Sequence, residues 1–343
     1  MKSSNIGGQA VMEGIMMKSG DDYAVAVRKP DKEIAVKVST YSNFIKKHKT
    51  FFSLPIVRGV FNFVDSLVLG MSCLTWSANF ALEDAQEEEP GKFEKALDKA
   101  TGGKTNDLLL GLTVVFSIVM SVAIFIMLPY FMSTLLRKVI HSTTVITLLE
   151  GVLRLLIFTV YLLLISQMKD IQRVFMYHGA EHKCINCVEH GMDLTVENVM
   201  KSSKHHKRCG TSFLLIVMII SVIFFLFIRV ESPVWRVVSR LLLIPVIAGV
   251  SYEFIRIAGN SDSGLVNLLS KPGMAMQRLT TKEPTPDMAE VAIAAVEAVF
   301  DWRAYLNENF GRAYTDEERA LVKETMKKAR ENSAKADAEA QAG

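Results

Sequence analysis

The histidines and cysteines of this chain are concentrated in one short segment. Five of the seven His and three of the four Cys lie between His178 and Cys209. Imidazole nitrogens and thiolates are the ligands that zinc and related transition metals prefer. Four Cys, three of them clustered among His residues, do not resemble a secreted disulfide framework. The segment is therefore a candidate metal site.

An H-x-x-E-H motif opens this segment, formed by His178, Glu181 and His182. If the preceding apolar segment continues as a helix through Met168, the two His lie one turn apart on one face and can share a metal ion. Glu181, at the neighbouring position, could act as a general base toward a water molecule. Such catalysis requires an open coordination position on the metal. The motif alone has low specificity, and Gly179 weakens a helix at this point.

A second pattern overlaps the first. Cys184-x2-Cys187 is followed, after eighteen residues, by His206-x2-Cys209. This spacing is typical of a closed structural zinc site, in which four ligands tie two chain segments together. In this alternative the metal catalyses nothing.

The composition of the whole chain indicates a membrane protein. Half of the 343 residues are hydrophobic, 22% are charged, and the mean hydropathy is +0.25. These values argue against an ordinary soluble domain and against a disordered chain. The net charge of +3 is spread over 39 basic and 36 acidic residues. No basic field points to a nucleic acid partner.

Four apolar segments are long enough to cross a bilayer: residues 108–136, about 143–168, 211–228 and about 235–257. The connections 137–142 and 229–234 are short, so the segments pair into two helical hairpins. The predicted fold class is mainly α, a polytopic membrane protein with about four transmembrane helices in two hairpins, a cytosolic N-terminal β-hairpin region and C-terminal helices. The lipid bilayer is the first expected partner.

The charge of the long connection predicts its side of the membrane. Residues 169–210 contain seven Lys and Arg residues. The positive-inside rule predicts that such a cationic segment lies in the cytoplasm. The N-terminus and the C-terminus fall on the same side. The expected location is the cell membrane, with multiple crossings.

One further apolar stretch affects the predicted number of membrane crossings. Residues 55–82 contain Arg58 and Asp65, and the run from Ser66 to Leu82 has 17 uncharged residues, the lower limit of a span. If it crossed, the cationic connection would move to the outside. An interfacial or re-entrant helix is therefore the favoured interpretation, and a fifth crossing is the alternative.

The remaining organisation follows from local patterns. Alternating residues at 23–27 and 34–38, separated by a turn sequence, predict the N-terminal hairpin. The complete division has eight parts: the N-terminal region 1–50, the apolar helix 51–82, a charged linker 83–107, transmembrane hairpin 108–168, the His/Cys metal-site loop 169–210, transmembrane hairpin 211–258, a cytosolic helical region 259–314 and a charged, partly disordered tail 315–343.

Two ionisable residues fall inside the second apolar segment. Glu150 and Arg154 stand one helical turn apart, where they can neutralise each other as an intrahelical pair. A transport role is the alternative, because ionisable residues within a span often mark a pathway. With four spans and no second broken helix, the pair is favoured.

Six sequence motifs resemble those of a known family. They are GGQAVMEGIMMK, YHGAEHKCINC, LTVENV, HKRCGTSF, SYEFIR and QRLTTKEP. Together they resemble the YqhQ-type family of bacterial membrane proteins of unknown function, which are often labelled predicted metal-dependent enzymes. The similarity runs from Gly7 to about Phe300.

The resemblance bears on the ligand set. It implies family counterparts for Glu181 and for four ligands: His178, His182, His206 and Cys209. Cys184 and Cys187 stand where other side chains are common in the family. The expected set therefore shifts to those four residues, and Cys184, Cys187, His206 and Cys209 remain the alternative set.

Two functional hypotheses follow, both with zinc as the first choice and iron as the alternative. In the first, the protein is a metal-dependent enzyme, hydrolytic if active, that works at the cytosolic face with Glu181 as base. Three His and one Cys would fill a tetrahedral shell, so one ligand would have to be displaced. In the second, it is a non-enzymatic membrane scaffold or assembly factor whose zinc site shapes a docking surface for a protein partner. Neither predicts an oligomeric state.

Overall fold

The computed structural model describes residues 2–41, 54–82, 105–228, 230, 232–259 and 263–342. The chain forms two compact units. Unit 1 consists of Met1–Asp84, Leu163–Val217 and Ile244–Gly343, and unit 2 of Ala85–Leu162 and Met218–Leu243. The described residues are mainly helical with one small antiparallel sheet near the N-terminus, in agreement with the predicted class.

The sheet has four strands in the order β1-β2-β3-β4, each antiparallel to the next. They are β1 (Gly7–Val11), β2 (Gly14–Ser19), β3 (Asp22–Arg28) and β4 (Ile34–Thr40). The predicted hairpin corresponds to β3 and β4. The glycine-rich stretch before it also forms a hairpin, β1 and β2, which the sequence did not suggest because glycine is rare in strands.

The described helices, in chain order, are α1 (Val57–Leu82), α2 (Thr105–Val122), α3 (Leu128–Leu135), α4 (Thr143–Ile165), α5 (Lys169–Glu189), α6 (Val196–Lys201), α7 (Gly210–Phe227), α8 (Pro233–Gly259), α9 (Gly264–Thr280), α10 (Pro286–Glu297), α11 (Trp302–Phe310) and α12 (Asp316–Ala342). A π-helical turn, Ala123–Met127, joins α2 to α3. The predicted linker at 83–104 lies outside the described residues, and 105–107 belong to α2.

Both faces of the sheet are covered within unit 1. One face, which includes Ile15 and Ala26, packs with α5 and α10 into a single hydrophobic core. The other face, which includes Met16 and Val25, packs against Leu69 and neighbouring residues of α1. Burial on both faces explains why the central strands are apolar at consecutive positions rather than at every second one.

Five helices are long and apolar enough to cross a membrane: Val57–Phe80, Gly111–Lys138, Thr143–Ile165, Gly210–Phe227 and Val234–Gly259. Four of them coincide with the predicted segments. The first is the helix predicted to be interfacial or re-entrant, with a crossing as the alternative.

The connection after α4 differs from the prediction. The helix does not continue through Met168: α4 ends at Ile165, Met168 is extended with φ −71° and ψ 131°, and α5 begins at Lys169. After this break, α5 packs against the sheet and α10. The segment predicted as a loop, 169–210, is therefore largely helical, because it contains α5 and α6.

The C-terminal region is helical, as expected from its pattern. α10 contributes Met288 and Ala292 to the core of unit 1. α12 is a polar helix that meets the sheet edge, where the Ser333 hydroxyl accepts a hydrogen bond of 2.7 Å from the Val38 amide. The predicted disorder at the end of the tail stays a prediction.

Candidate metal centre

Three potential ligands converge in unit 1: His178, His182 and Cys209. Their ligand atoms all lie within 4.8 Å of one another. The two His stand one turn apart on α5, with ring centroids 4.4 Å apart. Cys209 immediately precedes α7, and its Sγ lies 3.3 Å from Nε2 of His178. This cluster could hold a metal ion.

Backbone carbonyls orient both imidazole rings. Nδ1 of His178 donates to the Thr280 carbonyl at 2.9 Å, and Nδ1 of His182 donates to the Lys204 carbonyl at 2.7 Å. A carbonyl can only accept, so each Nδ1 carries the hydrogen and each neutral ring keeps the lone pair on Nε2. Hydrogen bonding of this kind is typical of metal-bound imidazoles.

The environment of His182 favours the neutral ring that a metal requires. Its side chain is 1% exposed, and burial lowers the pKa of His182, although its contact with Cys209 opposes this shift. A neutral imidazole is the ligand form. The two imidazoles and the thiol therefore fit a transition metal by donor type, and the two imidazoles also fit it by the orientation of their rings.

Glu181 lies beside the cluster and is buried. Its Oε2 is 4.0 Å from Nε2 of His178. Burial raises the pKa of Glu181, while His178 and a hydrogen bond from the Gly8 backbone oppose the shift. A Cβ on Gly8 would lie 2.8 Å from Cγ of Glu181, so the glycine allows β1 to approach the carboxylate.

Gly179 has a comparable role on the opposite side of α5. A Cβ at this position would lie 2.0 Å from the carbonyl oxygen of Lys282. The Lys282 amide donates to the Phe175 carbonyl at 2.9 Å, which holds the segment after α9 against α5. This close approach brings the Thr280 carbonyl to His178. The glycine that weakens the helix in the sequence is thus required by packing.

His206 has a different set of partners. Its Nε2 donates to Oε2 of the buried Glu189 at 3.1 Å, and its Nδ1 accepts from the Arg208 amide at 3.3 Å. Its ring centroid is 5.9 Å from that of His182. Three of the four predicted ligands therefore converge, and the role of His206 as a ligand stays a prediction.

The two cysteines of the alternative set lie in the hydrophobic core. Cys184 and Cys187 pack with the sheet and α10, and the Cys187 thiol donates to the Asp193 carbonyl at 3.4 Å. Burial raises the pKa of Cys184 strongly and that of Cys187 to about 11. The packing thus places both thiols among apolar side chains, away from the His pair. Within the described chain, Cys209 alone of these three joins the His pair.

Several residues that support the site were not identified from the sequence. The carbonyls of Thr280 and Lys204 could not be, since backbone groups carry no residue signature. Gln277 holds the backbone of His206 through its side-chain amide, donating to the carbonyl at 2.7 Å and accepting from the amide at 2.9 Å. Gln277 and Thr280 belong to the QRLTTKEP motif, and Gly8 to the GGQAV motif. Membership of these two motifs was the sequence signal that could have identified these supporting residues.

Comparison with known proteins gives the family. Residues 54–302 match the family described as "Protein of unknown function (DUF1385)". The chain is 34% identical over 310 residues to the uncharacterized protein YqhQ of Bacillus subtilis (strain 168), an alignment covering 88% of this chain and 94% of that protein. No solved structure matches. The chain belongs to the DUF1385 family, which confirms the resemblance inferred from the six motifs.

Proposed function

We propose that this DUF1385 protein is a membrane-bound hydrolase that binds one zinc ion through His178, His182 and Cys209 at the cytosolic face. The single observation that carries the proposal is the arrangement of these three side chains. Both imidazoles have their Nδ1 hydrogen directed to a carbonyl, and the lone pairs and the thiol share one small volume. Mixed imidazole and thiolate ligands suit zinc first and iron second.

Catalysis rather than a closed structural site is favoured by the number of ligands. Three protein ligands leave one position of a tetrahedral ion open, as in catalytic zinc sites. His206 would close that position, but both of its ring nitrogens are engaged by Glu189 and Arg208. When bound, zinc would supply Lewis-acid activation of a water molecule.

Glu181 is the residue placed to accept a proton. It is one turn along α5 from His178 and lies on the same side of the cluster. Burial raises the pKa of Glu181 above its ordinary value, which makes the carboxylate a better proton acceptor. The Gly8 amide fixes the carboxylate by a hydrogen bond, so Glu181 is positioned without being a ligand itself.

Packing in unit 1 supports four membrane crossings. The sheet, α5 and α10 share one hydrophobic core, and groups in one core lie on the same side of a bilayer. An even number of crossings must therefore separate the sheet from α5. Three candidate spans lie between them in sequence, α1, the α2–α3 segment and α4, so one of the three does not cross.

We propose that α1 is the helix that does not cross. Its second half, from Leu69 to Phe80, packs against the sheet. The part before Leu69 is about 12 residues or about 18 Å long, against a hydrocarbon core of about 30 Å. α1 also carries Arg58 and Asp65. We therefore place α1 in the interface, with the sheet, the metal centre and the C-terminal helices in the cytosol.

Cysteine labelling tests this topology. The native cysteines are all buried, so an introduced cysteine reports its own side of the membrane. A membrane-impermeant maleimide should label Ser142→Cys on intact cells and Glu33→Cys only after permeabilisation. Labelling of Glu33→Cys on intact cells would contradict the cytosolic location.

The enzymatic proposal is tested by separating metal content from turnover. The Glu181→Gln variant should keep its zinc but lose about 10²-fold or more of the hydrolysis of a panel of ester, amide and phosphoester probes. Glu197→Gln, an exposed carboxylate on α6, is the matched control and should behave as wild type. Zinc-free wild-type protein would exclude the metal site, and unchanged turnover in Glu181→Gln would exclude the base.

A structural role for the metal is the second candidate, and one observation favours it. The cluster joins α5, the segment before α7 and the end of α9, and its members are largely buried. A metal there would staple a surface that a cytosolic protein partner could bind. Under this alternative Glu181→Gln behaves as wild type in every assay, whereas Cys209→Ser loses both metal and fold.

A further inference from the structure

Unit 2 contains a second buried polar cluster, of charged rather than neutral groups. Glu150 and Arg154 form the predicted intrahelical pair at 3.1 Å on α4. Arg240 of α8 joins them, with Nη2 2.6 Å from Oε2 of Glu150. The exposed fractions are 3% for Glu150, 6% for Arg154 and 5% for Arg240. Arg154 also donates to the Ser221 hydroxyl at 2.6 Å.

This cluster is not neutral. It combines two guanidinium groups with one carboxylate, and Glu150 uses one oxygen for each Arg. Among the residues that the structure describes, Nη1 of Arg240 and Nε of Arg154 have no hydrogen-bond partner. The Arg240 guanidinium stacks on Tyr130, 4.6 Å from the ring centroid. A stacked ring offsets only part of the cost of a buried cation.

A cavity of about 360 Å³ lies beside this cluster, wholly within unit 2. Its wall combines cationic groups with hydroxyl groups: Arg137, Arg236, Arg240, Ser133, Thr147 and Tyr130. Glu150 is the one carboxylate in the described lining. The Ser133 and Thr147 hydroxyls donate to carbonyls of their own helices, so the guanidinium groups are the donors that face a ligand. A described lining with more guanidinium groups than carboxylates has the character of an anion site.

The backbone of the α2–α3 segment contains a π-helical turn next to this cavity. The π-helical turn at Ala123–Met127 directly precedes α3. α3 places Tyr130 and Ser133 in the cavity wall, and both are buried. An extra residue in a helical turn shifts the register of everything after it, and such turns are frequent at functional sites. The turn thus brings Ser133 and the Tyr130 ring, on which Arg240 stacks, into the wall of the cationic cavity.

We propose that this cavity binds a phosphate group, supplied either by a phospholipid headgroup or by free phosphate. The N–H groups of a guanidinium fork match the oxygens of a phosphate. The negative charge of the phosphate would balance the positive charge that the single Glu150 carboxylate does not neutralise. Its oxygens would also accept a hydrogen bond from Nη1 of Arg240, which has no other partner within the described chain. This site is separate from the metal centre and does not depend on the hydrolase proposal.

The first test uses the wild-type protein in a phosphate-free detergent. Inorganic phosphate should raise the midpoint of thermal unfolding in a saturable manner at constant ionic strength, whereas acetate should not. Native mass spectrometry should detect retained phosphatidylglycerol if the lipid is the source. Either ligand supports the site, and the stronger identifies the source. A protein that binds neither, or binds acetate as tightly, overturns the proposal.

Three variants locate the binding. Arg240→Lys and Arg137→Gln should each weaken phosphate or lipid binding about tenfold, and Arg137 is less buried, so its variant does not put folding at risk. Glu150→Gln removes the competing carboxylate and should strengthen binding. Arg173→Gln, an Arg paired with Glu13 outside unit 2, is the control and should leave binding unchanged. Wild-type affinity in Arg137→Gln or Arg240→Lys would overturn the site.

Discussion

The two buried polar clusters of this protein have opposite requirements. In unit 1, His178 and His182 direct their N–H groups to carbonyls and turn their lone pairs toward Cys209. In unit 2, the N–H groups of Arg154 and Arg240 outnumber the oxygens of Glu150. The first cluster has unused electron pairs and the second has unused hydrogens. We therefore propose a cation as the ligand of the first cluster and an anion as the ligand of the second.

This contrast shows that the identity of a side chain does not decide what a buried site binds. Imidazole can donate or accept, and the carbonyls of Thr280 and Lys204 determine which nitrogen remains available. Arginine can only donate, so the ratio of guanidinium to carboxylate groups determines whether a buried arginine cluster has donors left for an anion. Four predictions test whether the two clusters are as independent and as opposite as this comparison implies.

The largest effect is expected from removal of a metal ligand. His182→Gln should reduce bound zinc from about one ion per chain to near zero, measured by elemental analysis of detergent-purified protein. Phosphate-dependent stabilisation of the same variant should not change. His190→Gln is the control at the C-terminal end of α5, because Nδ1 of His190 donates to the Asn186 carbonyl and the residue lies outside the cluster of His178, His182 and Cys209. Equal metal loss in the control would break the assignment.

The next effect concerns the supports of the cluster. Gly179→Ala places a methyl group against the Lys282 carbonyl, which must displace the Thr280 carbonyl from His178. Loss of such an orienting bond reduces metal affinity about 10- to 100-fold, measurable by competition with a chelator. Gly111→Ala, a helical glycine with open space around it, should have no effect. An unchanged affinity in Gly179→Ala would show that the carbonyl does not orient the ring.

The third prediction concerns Glu189, the buried anion behind the metal centre. Its carboxylate accepts from His206, from the Arg208 guanidinium and from the Ser4 amide and hydroxyl. Although burial would raise the pKa of Glu189, these bonds lower it on balance. Glu189→Gln leaves the Arg208 cation without its partner and should lower the free energy of unfolding by about 3 kcal/mol.

Thermal denaturation measures this loss, and zinc content separates stability from ligation. The variant should retain its zinc at low temperature, since Glu189 contacts none of the three convergent ligands in the bonds described here. Loss of zinc without loss of stability would instead indicate that His206 is a ligand held by Glu189.

The smallest effect is expected in unit 2. Ser221→Ala removes a neutral acceptor from Arg154 and should lower the free energy of unfolding by about 1 kcal/mol. Saturating phosphate should not restore this loss, because Ser221 does not line the cavity. Ser239→Ala, whose hydroxyl bonds to the carbonyl of its own helix, is the control. A larger loss in the control would contradict the importance given to the Arg154 contact.

Local patterns in the sequence were sufficient for much of the site. Crowding and the H-x-x-E-H spacing identified His178 and His182, and the family motifs added Cys209. The partners of His206 were not accessible, because its bond to Glu189 depends on how two separate segments pack. The carbonyl that orients His178 comes from Thr280, 102 residues away in sequence. Spacing along one segment contains no information on such contacts.

Some elements of the fold were likewise predictable from local sequence patterns, and others were not. Long apolar runs predicted the four main apolar helices because length and composition alone decide that property. β1 and β2 were missed because glycine is rare in strands, whereas here Gly8 lets β1 approach Glu181 of α5 and Gly14 lets β2 pack closely on β3. α1 could not be interpreted from composition, since one half packs on the sheet and its apolar residues look the same as those that contact lipid.

X-ray absorption at the zinc edge of the purified protein tests the central claim most directly. Ligation by His178, His182 and Cys209 predicts one sulfur at about 2.3 Å and two imidazole nitrogens at about 2.0 Å. A shell with three sulfurs would instead indicate the set Cys184, Cys187, His206 and Cys209. That result, or a protein without any bound metal, would contradict the account.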